Sequence, residues 1–593
     1  MVTSLGGFKR LPTGSTRDRC WIYLGTSVQG KARVESRLRL ENRWKGAEAF
    51  RQIAEELRQP FLDFVAHVGA HQKDPIAWWS SRFSWKMWSA SDLFLLTCYL
   101  GLAQRQIRQA QDQKVGLLLI VEDPWLFRQI KENVGRNRSN VHFHGSSGLA
   151  GEKVRFLFLG GLRRAWWLWK VAVGFAQQRR WWPSGKPVLP QQPAAAIFSV
   201  PQKMSLQAEG RWRDPYLPQL EGMLRELRLE VFRFSPPECM GFERELAERS
   251  GYFHPLILWA SASGVVRSLL AFWHPRWPGE LSVGDLPVRW LCFREWWLEI
   301  GRAGLCAYRM FYETLRGMLA KGQWRWLITF YENQPWEKLA VLAARERGVR
   351  VAGIQTAVLS RYYLPYLLGK GEASQMPLPD VICTSGPYAQ SLLKQGGNPS
   401  DRLTLCGSIR YEHLTNGGRA APKNLLPPAP RSKILVVLPI DLLMAEHLLG
   451  AVRAAFSDGG VGEGLRFYIR PHPMFPIVLK KVGFPAQVVP SSFADLRQAL
   501  HECGLVLFTG STVGFEAAAA GKTVLRYKSE LLLDVDEVYG SSVPVCSEST
   551  LRESVLMLAK GNSATGGKHT QPIISQLFTP FNRERFKEIL VVK

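Results

Sequence analysis

Four short segments gather residue types that handle phosphates and protons. In Leu465–Pro473 (LRFYIRPHP) a strand-like run ends in Arg470, Pro471, His472 and Pro473. The prolines fix φ on either side of the histidine and stop strand or helix from continuing. The imidazole is thereby held at the carboxyl end of a strand, where it can donate to a phosphate oxygen or protonate a leaving phosphate. In Gly504–Tyr527 (GLVLFTGSTVGFEAAAAGKTVLRY) a strand runs into Thr509, Gly510, Ser511 and Thr512, and a helix follows. Ser511 or Thr512 is the expected N-cap. The free N–H groups and partial positive charge of a helix start suit a phosphate, and Glu516, one turn further in, is placed to reach a ribose hydroxyl. The plainer alternative is a capped helix with a small-residue packing face. Gly521-Lys522-Thr523 imitates the end of a P-loop, but that motif needs glycine where Glu516 stands and it follows a strand rather than preceding one. ATP binding by that route is excluded.

The third segment, Leu405–Leu414 (LCGSIRYEHL), ends a strand at Gly407 and then offers Arg410 to clamp a phosphate and Tyr411 to stack on a base. The fourth, Trp324–Glu337, ends a strand in Glu332, a candidate general base towards an acceptor hydroxyl. Glu337 is the alternative base, although acidic residues are ordinary in a first helical turn. Gln355, after the next strand, is a further cleft candidate. The expected catalytic residues are thus Glu332 and His472. The expected phosphate and nucleotide contacts are Arg410, Arg470, His472, Gly510, Ser511, Thr512 and Glu516. No HExxH, EF-hand, GxSxG or DxD stands in a supporting context. Neither a metal nor a bound cofactor is expected, because basic side chains would stabilise the departing group.

These segments sit at the ends of short apolar runs. Such runs recur at Ala195–Val200, Glu230–Phe234, Trp324–Tyr331, Val349–Ile354, Val381–Ser385, Leu403–Cys406, Lys433–Pro439, Leu465–Ile469, Ala486–Val489, Gly504–Phe508, Thr523–Tyr527 and Val543–Cys546. Many are Val/Ile/Leu runs without alternation, as in parallel strands buried on both faces. Helical patterns lie between them at Trp336–Arg347, Ser492–Cys503, Thr512–Ala520 and Thr550–Ala559. This is βαβ grammar, and it predicts an α/β protein with two Rossmann-like domains. The Gly/Pro-rich stretch Thr415–Arg431 marks their boundary, giving lobes over 189–415 and 416–593. A less regular first part, 1–188, reads as an additional N-terminal α/β domain with strands at Trp21–Leu24, Gly116–Val121 and Val154–Leu159.

Composition sorts the two ends of the chain. Of 593 residues 46% are hydrophobic and 21% charged, which excludes wholesale disorder. The nine cysteines are widely spaced and form no CxxC, which argues against a disulfide framework or cysteine zinc site and for a reducing compartment. The formal net charge is +26, yet Ser400–Lys593 carries 22 Lys+Arg against 17 Asp+Glu. Most of the excess therefore lies in the first two thirds, as do all 22 Trp, none of which falls after Trp336. Charge and aromatics coincide in Gly161–Trp182 (GLRRAWWLWKVAVGFAQQRRWW), a predicted helix ended by Pro183, and again in Val288–Trp297 (VRWLCFREWW). Trp favours headgroup depth and Arg pairs with anionic lipid, so an anionic membrane surface is the expected partner. Neither zinc-finger spacing nor an RNP-type motif supports the nucleic-acid alternative. No apolar h-region opens the chain and no uncharged apolar run reaches ~20 residues. The expected location is cytoplasmic, peripheral at the inner face of the cytoplasmic membrane.

The strand–RPHP element, followed by strand–GST–helix with Glu516, resembles the HP and Ser/Thr motifs of GT-B-fold transferases that use CMP-activated ulosonic acids. These include bacterial sialyltransferases and Kdo transferases. YENQPWEKL, GIQT, LPDVICTSG and CGSIRYEHL resemble a family of surface carbohydrate biosynthesis proteins. The resemblance covers roughly Trp324–Tyr527. It implies a GT-B arrangement and a metal-independent glycosyltransferase of cell-surface polysaccharide. The donor would be a nucleotide sugar, CMP-linked, and the acceptor a lipid-linked glycan. It places His472 and Ser511-Thr512 on the CMP phosphate and Glu516 on the ribose. Two departures stand out: Thr356-Ala357 follows Gln355 where related capsule-type enzymes have His-Gly, and the acidic motif that supplies the base in sialyltransferases is not evident. The alternatives are a CDP-glycerol-type phosphotransferase and a non-catalytic assembly subunit of the same fold.

Overall fold

The computed structural model describes residues 1–9, 19–135, 141–145, 148–181, 189–200, 214–236, 253–254, 256–415, 426–457, 464–473, 487–561 and 571–591. Most of the boundary stretch Thr415–Arg431 lies outside them, as do Trp182 and the side chains of 177–181.

The fold is α/β, built on three parallel sheets. The first holds β1 (Val2–Ser4), β2 (Cys20–Leu24), β3 (Leu117–Val121) and β4 (Phe143–His144) in the order β2-β3-β1-β4. A two-stranded antiparallel hairpin, β7 (Ser282–Val283) with β8 (Leu286–Pro287), lies apart. The second sheet contains β5 (Ala194–Phe198), β6 (Glu230–Phe234), β9 (Trp324–Phe330), β10 (Arg350–Ile354), β11 (Val381–Thr384) and β12 (Leu403–Leu405). Its order is β12-β11-β10-β9-β5-β6, so the direction of winding reverses between β5 and β9. The third sheet contains β13 (Lys433–Val437), β14 (Arg466–Arg470), β15 (Val488–Pro490), β16 (Leu505–Phe508), β17 (Thr523–Tyr527) and β18 (Val545–Cys546). Its order β15-β14-β13-β16-β17-β18 is the 3-2-1-4-5-6 winding of a Rossmann sheet, reversing between β13 and β16.

The expected strands of both large sheets form within a residue or two of their predicted bounds. The reason is visible in burial: every residue of β5 (AAAIF) and β16 (LVLF) is buried. Such strands need apolar side chains on both faces, and that leaves a continuous run in the sequence. The N-terminal part is also α/β, but Val154–Leu159 is not a strand. It lies within a helix spanning Leu149–Trp181. A short apolar run has no period of its own, and here it continues the helical pattern of the residues after it.

The sheets share packing. One hydrophobic core runs from Val2, Ile22 and Leu119 of the first sheet to Ile197, Ile328 and Ile354 of the second. The third sheet has its own interior on each face, around Ile434 and Val436 on one and Leu435 and Phe508 on the other. The chain then crosses back. Phe581, Phe586 and Leu590, the last two in the helix Arg583–Val591, lie in the core of the second sheet, and Trp326 Nε1 donates to Leu590 O at 3.0 Å.

Candidate functional site

Each large sheet has a winding reversal, and in open α/β sheets the crevice beyond such a reversal is the usual ligand site. Beyond β9 lies Glu332. Beyond β16 lies the turn Thr509–Thr512. Arg410 and Tyr411 follow β12, and Tyr411 Oη donates to Thr512 Oγ1 of the second turn at 3.1 Å.

The loop carrying Glu332 is held tightly. Glu337, in the first turn of the helix Pro335–Arg345, accepts the N–H groups of Glu332 at 2.9 Å and Asn333 at 2.8 Å. Asn333 takes a left-handed conformation (φ 54°), and its side chain donates to Pro365 O at 2.6 Å. Only a loop fixed by its surroundings keeps such a conformation at a non-glycine residue. Glu337 thus braces the loop's backbone through Oε2, while its buried Oε1 has no hydrogen-bond partner among the described residues and burial raises its carboxyl well above the ordinary range. Burial raises the carboxyl pKa of Glu332, opposed by a hydrogen bond from Gln334 Nε2 (2.7 Å) and by the charge of Arg410.

Arg410 lies over the ring of Tyr216 at 4.5 Å and of Tyr411 at 4.8 Å, and its Nη1 contacts Thr356 O at 3.5 Å. Burial pulls its pKa down, but Tyr411, Tyr216, Glu332 and Glu516 outweigh this and raise it. The same guanidinium acts on His472. Burial, aided by Arg410, lowers the imidazole to about 4, so it is neutral near pH 7. Burial raises Glu516, with Arg410 opposing. Arg410 thus acts electrostatically on Glu332 from one lobe and on His472 and Glu516 from the other. Arg470, at the end of β14, is half-buried, and burial lowers its pKa against the pull of Asp495.

The turn after β16 is built by close approach. Gly510 has φ +56°, and a Cβ there would meet Met444 Sδ at 2.9 Å and Pro439 Cβ at 3.3 Å. Its N–H donates to Asp536 at 2.5 Å, and Asp536 is raised to about 7 by burial against the opposing pull of that N–H and of Arg526. The helix Val513–Ala519 begins at once. Ser511 Oγ accepts the N–H of Val513 at 3.3 Å, as an N-cap side chain does. Thr512 makes no side-chain cap, and its hydroxyl instead accepts from Tyr411 Oη at 3.1 Å.

Two cleft expectations change, and the surroundings of the second aromatic-basic stretch become clear. Tyr411 is buried, with its ring 4.6 Å from that of Phe578, and so has no face to offer a base. Its position just after Arg410 placed it near the cleft, but the return of the chain at Phe578 covers it. Gln355 is buried and satisfied by backbone: its amide donates to Ala357 O and accepts from Ser385 N. The Val288–Trp297 stretch lies in the helix Arg289–Ile300, whose Leu291, Cys292 and Glu295 are buried, and Trp290 Nε1 and Trp296 Nε1 are both hydrogen-bonded. Its Trp290, Trp296 and Trp297 are half-buried and Arg289 is exposed.

Tyr216, Asp214 and Asp536 escaped sequence reasoning, and Glu337 was expected as a base rather than as a brace of its loop. Tyr216 supports Arg410 from a loop organised by Asp214, which accepts the N–H groups of Tyr216 and Leu217 and pairs with Arg233 at 2.7 Å. Asp536 and Glu337 fix the two turns. Asp214 and Tyr216 carry a faint signal, an Asx-type turn two residues before an aromatic. Asp536 carries none, because it reaches Gly510 from a loop 26 residues away.

No family model matches the chain, and no curated protein matches it. Solved structures similar to it include Anabaena HepE in complex with UDP and glucose, at 10% identity over 68% of this chain and 100% of that one, with a TM-score of 0.39. A glycotransferase of kitacinnamycin is similar at 13% identity over 68% and 99%, TM-score 0.37. A UDP-N-acetylglucosamine 2-epimerase from Rickettsia bellii is similar at 14% over 65% and 94%, TM-score 0.37. At such values the fold rests on the strand orders themselves: this chain is an α/β protein with two Rossmann-like lobes and an additional N-terminal α/β domain.

Proposed function

We propose that this protein is a GT-B-type glycosyltransferase of cell-surface polysaccharide biosynthesis, drawing its sugar from a nucleotide donor. The observation that carries the reading is the meeting of the two lobes beside Arg410, where Tyr411 Oη donates to Thr512 Oγ1 at 3.1 Å and the charge of Arg410 acts on Glu332 from one sheet and on His472 and Glu516 from the other. The RPHP and GST motifs support a CMP-linked ulosonic acid as donor. The acceptor is a lipid-linked glycan, met at the inner face of the cytoplasmic membrane.

In this mechanism Arg410, Arg470 and the turn Gly510–Thr512 hold the donor phosphate, and Glu516 meets the ribose. Burial raises Glu332 above an ordinary carboxyl, which suits a base that takes a proton from the acceptor hydroxyl as the sugar is transferred. His472 is neutral near pH 7 and donates an N–H to the phosphate. The arriving negative charge raises its pKa, so it can protonate the leaving phosphate.

Calorimetric titration with CMP, CDP, UMP, UDP, ADP and GDP tests the reading. Selective CMP binding, weakened at least about tenfold in His472→Ala and Ser511→Ala, is expected. Selective binding of UMP or UDP would replace the donor class. Binding of none would leave a non-catalytic subunit of the same fold.

A further inference from the structure

The helix Leu149–Trp181 faces outward with the wrong side for a soluble protein. Val154, Phe158, Leu162, Trp166 and Trp169 recur every three or four residues, so they share one side of the helix along ~22 Å. All five are exposed: Phe158 keeps 65% of its surface, Trp166 55% and Trp169 53%. The two indoles stack on each other at 4.5 Å rather than on the protein. Isolated exposed apolar residues are ordinary, but a continuous stripe of this kind marks an interaction surface.

The helix is firmly mounted by its other side. Gly160 lies so close to the end of the helix Arg289–Ile300 that a Cβ would meet Ile300 O at 2.3 Å. Val171 and Trp167 pack on Ile257 and Met310. Arg163 donates to Gly301 O at 2.6 Å, and Arg164 donates to Leu269 O and Ala271 O, each at 3.1 Å. The apolar stripe is thus held out rigidly.

Its charge selects the partner. The helix's acid, Glu152, is turned inward, where its carboxylate receives Trp125 Nε1 at 3.3 Å. Arg155 and Lys170 lie along the stripe, with the Lys170 ammonium 5.6 Å from the Trp166 ring. Aromatic and aliphatic side chains edged by cations fit the boundary between headgroups and acyl chains of an anionic bilayer. A second copy of the chain would bring like charges together. None of the described helices is long and apolar enough to cross a membrane, which suits a helix lying along the surface. We propose that the outward face of Leu149–Trp181 docks this protein on an anionic lipid bilayer, with Phe158, Trp166 and Trp169 inserted among the headgroups. The proposal takes from the preceding section only the expectation of a peripheral membrane protein, and its test uses no nucleotide.

The full-length protein is sedimented with phosphatidylcholine vesicles, with and without phosphatidylglycerol. Binding is expected with phosphatidylglycerol, reduced by added salt. The double change Trp166→Ser, Trp169→Ser should weaken it at least about tenfold, as should Arg155→Glu with Lys170→Glu. These side chains are at the surface, so circular dichroism and the thermal midpoint should match the unaltered protein, which separates lost docking from lost folding. Undiminished binding by the Trp variant, or no binding by the unaltered protein, would overturn the proposal. So would sedimentation velocity showing a dimer that the Trp variant dissolves, because the face would then be covered by a second copy.

Discussion

Arg410 stacks on Tyr216 and Tyr411 while its charge acts on Glu332, His472 and Glu516. Replacing it with Gln should raise the His472 midpoint from about 4 towards the ordinary 6.5, read by histidine NMR across pH. Burial is the larger cause of the shift, so recovery should be partial. The depressed value has a consequence for stability. As pH falls below about 6.5 the unfolded chain takes up a proton that folded His472 still refuses, so this residue's contribution to stability declines until about pH 4. Asp536 acts in the opposite sense. Its raised value, about 7, means that the folded protein gains a proton before the unfolded chain does, so its contribution improves as pH falls from about 7 towards the ordinary carboxyl range. Asp536→Asn should flatten that part of the pH–stability curve, measured by denaturant unfolding at a series of pH values.

The turns and helix starts of the site depend on missing side chains. Gly510→Ala would put a Cβ in the left-handed region and against Met444, for a loss of about 1–2 kcal/mol in thermal unfolding. The binding loss should be larger than that, because the same turn presents Ser511. Gly407 (φ +80°) is tighter still: a Cβ there would lie 2.1 Å from Pro580 O. Gly407→Ala should displace the segment that returns from the second lobe, and limited proteolysis should then cut near Phe581. What the sequence made legible follows from the same local geometry. The strands of both large sheets could be read because their apolar runs are uninterrupted, and His472, Glu332 and the Gly510 turn could be placed because each directly follows such a strand. β1 and β4 span three and two residues and leave no pattern to read. Tyr411 and Gln355 were assigned to the cleft from strand-end position alone, but their environment comes from Phe578 and Ser385, far along the chain. Position in the sequence gives an address at a strand end. It does not say which way a side chain turns once remote segments have packed against it.

Across the molecule, the N-terminal sheet joins both lobes. It shares one core with the second sheet, and it meets the third through ion pairs of Lys31 with Glu548 and Arg43 with Glu530, beside His447, which contacts Thr26 O at 2.9 Å. Partly exposed pairs of this kind each contribute about 0–1 kcal/mol, so this contact should yield before the shared core does. Glu548→Lys should increase hydrogen exchange around Lys31 and Arg43 while leaving the interior of the second sheet protected. The returning helix is a stronger bond. Phe586→Ala should cost about 3–5 kcal/mol in chemical unfolding, because the ring is fully buried against the second sheet. The same return sets an order of events during synthesis. The central strands of the second sheet leave the ribosome early, but the residues that cover Trp326 are translated hundreds of positions later. Until then the first lobe waits with part of its interior bare. A chain cut short before Phe581 would keep every strand and every candidate cleft residue, yet remain a target for chaperones and proteases. The lobe that holds Glu332 is therefore closed only after the helix Arg583–Val591 has been made.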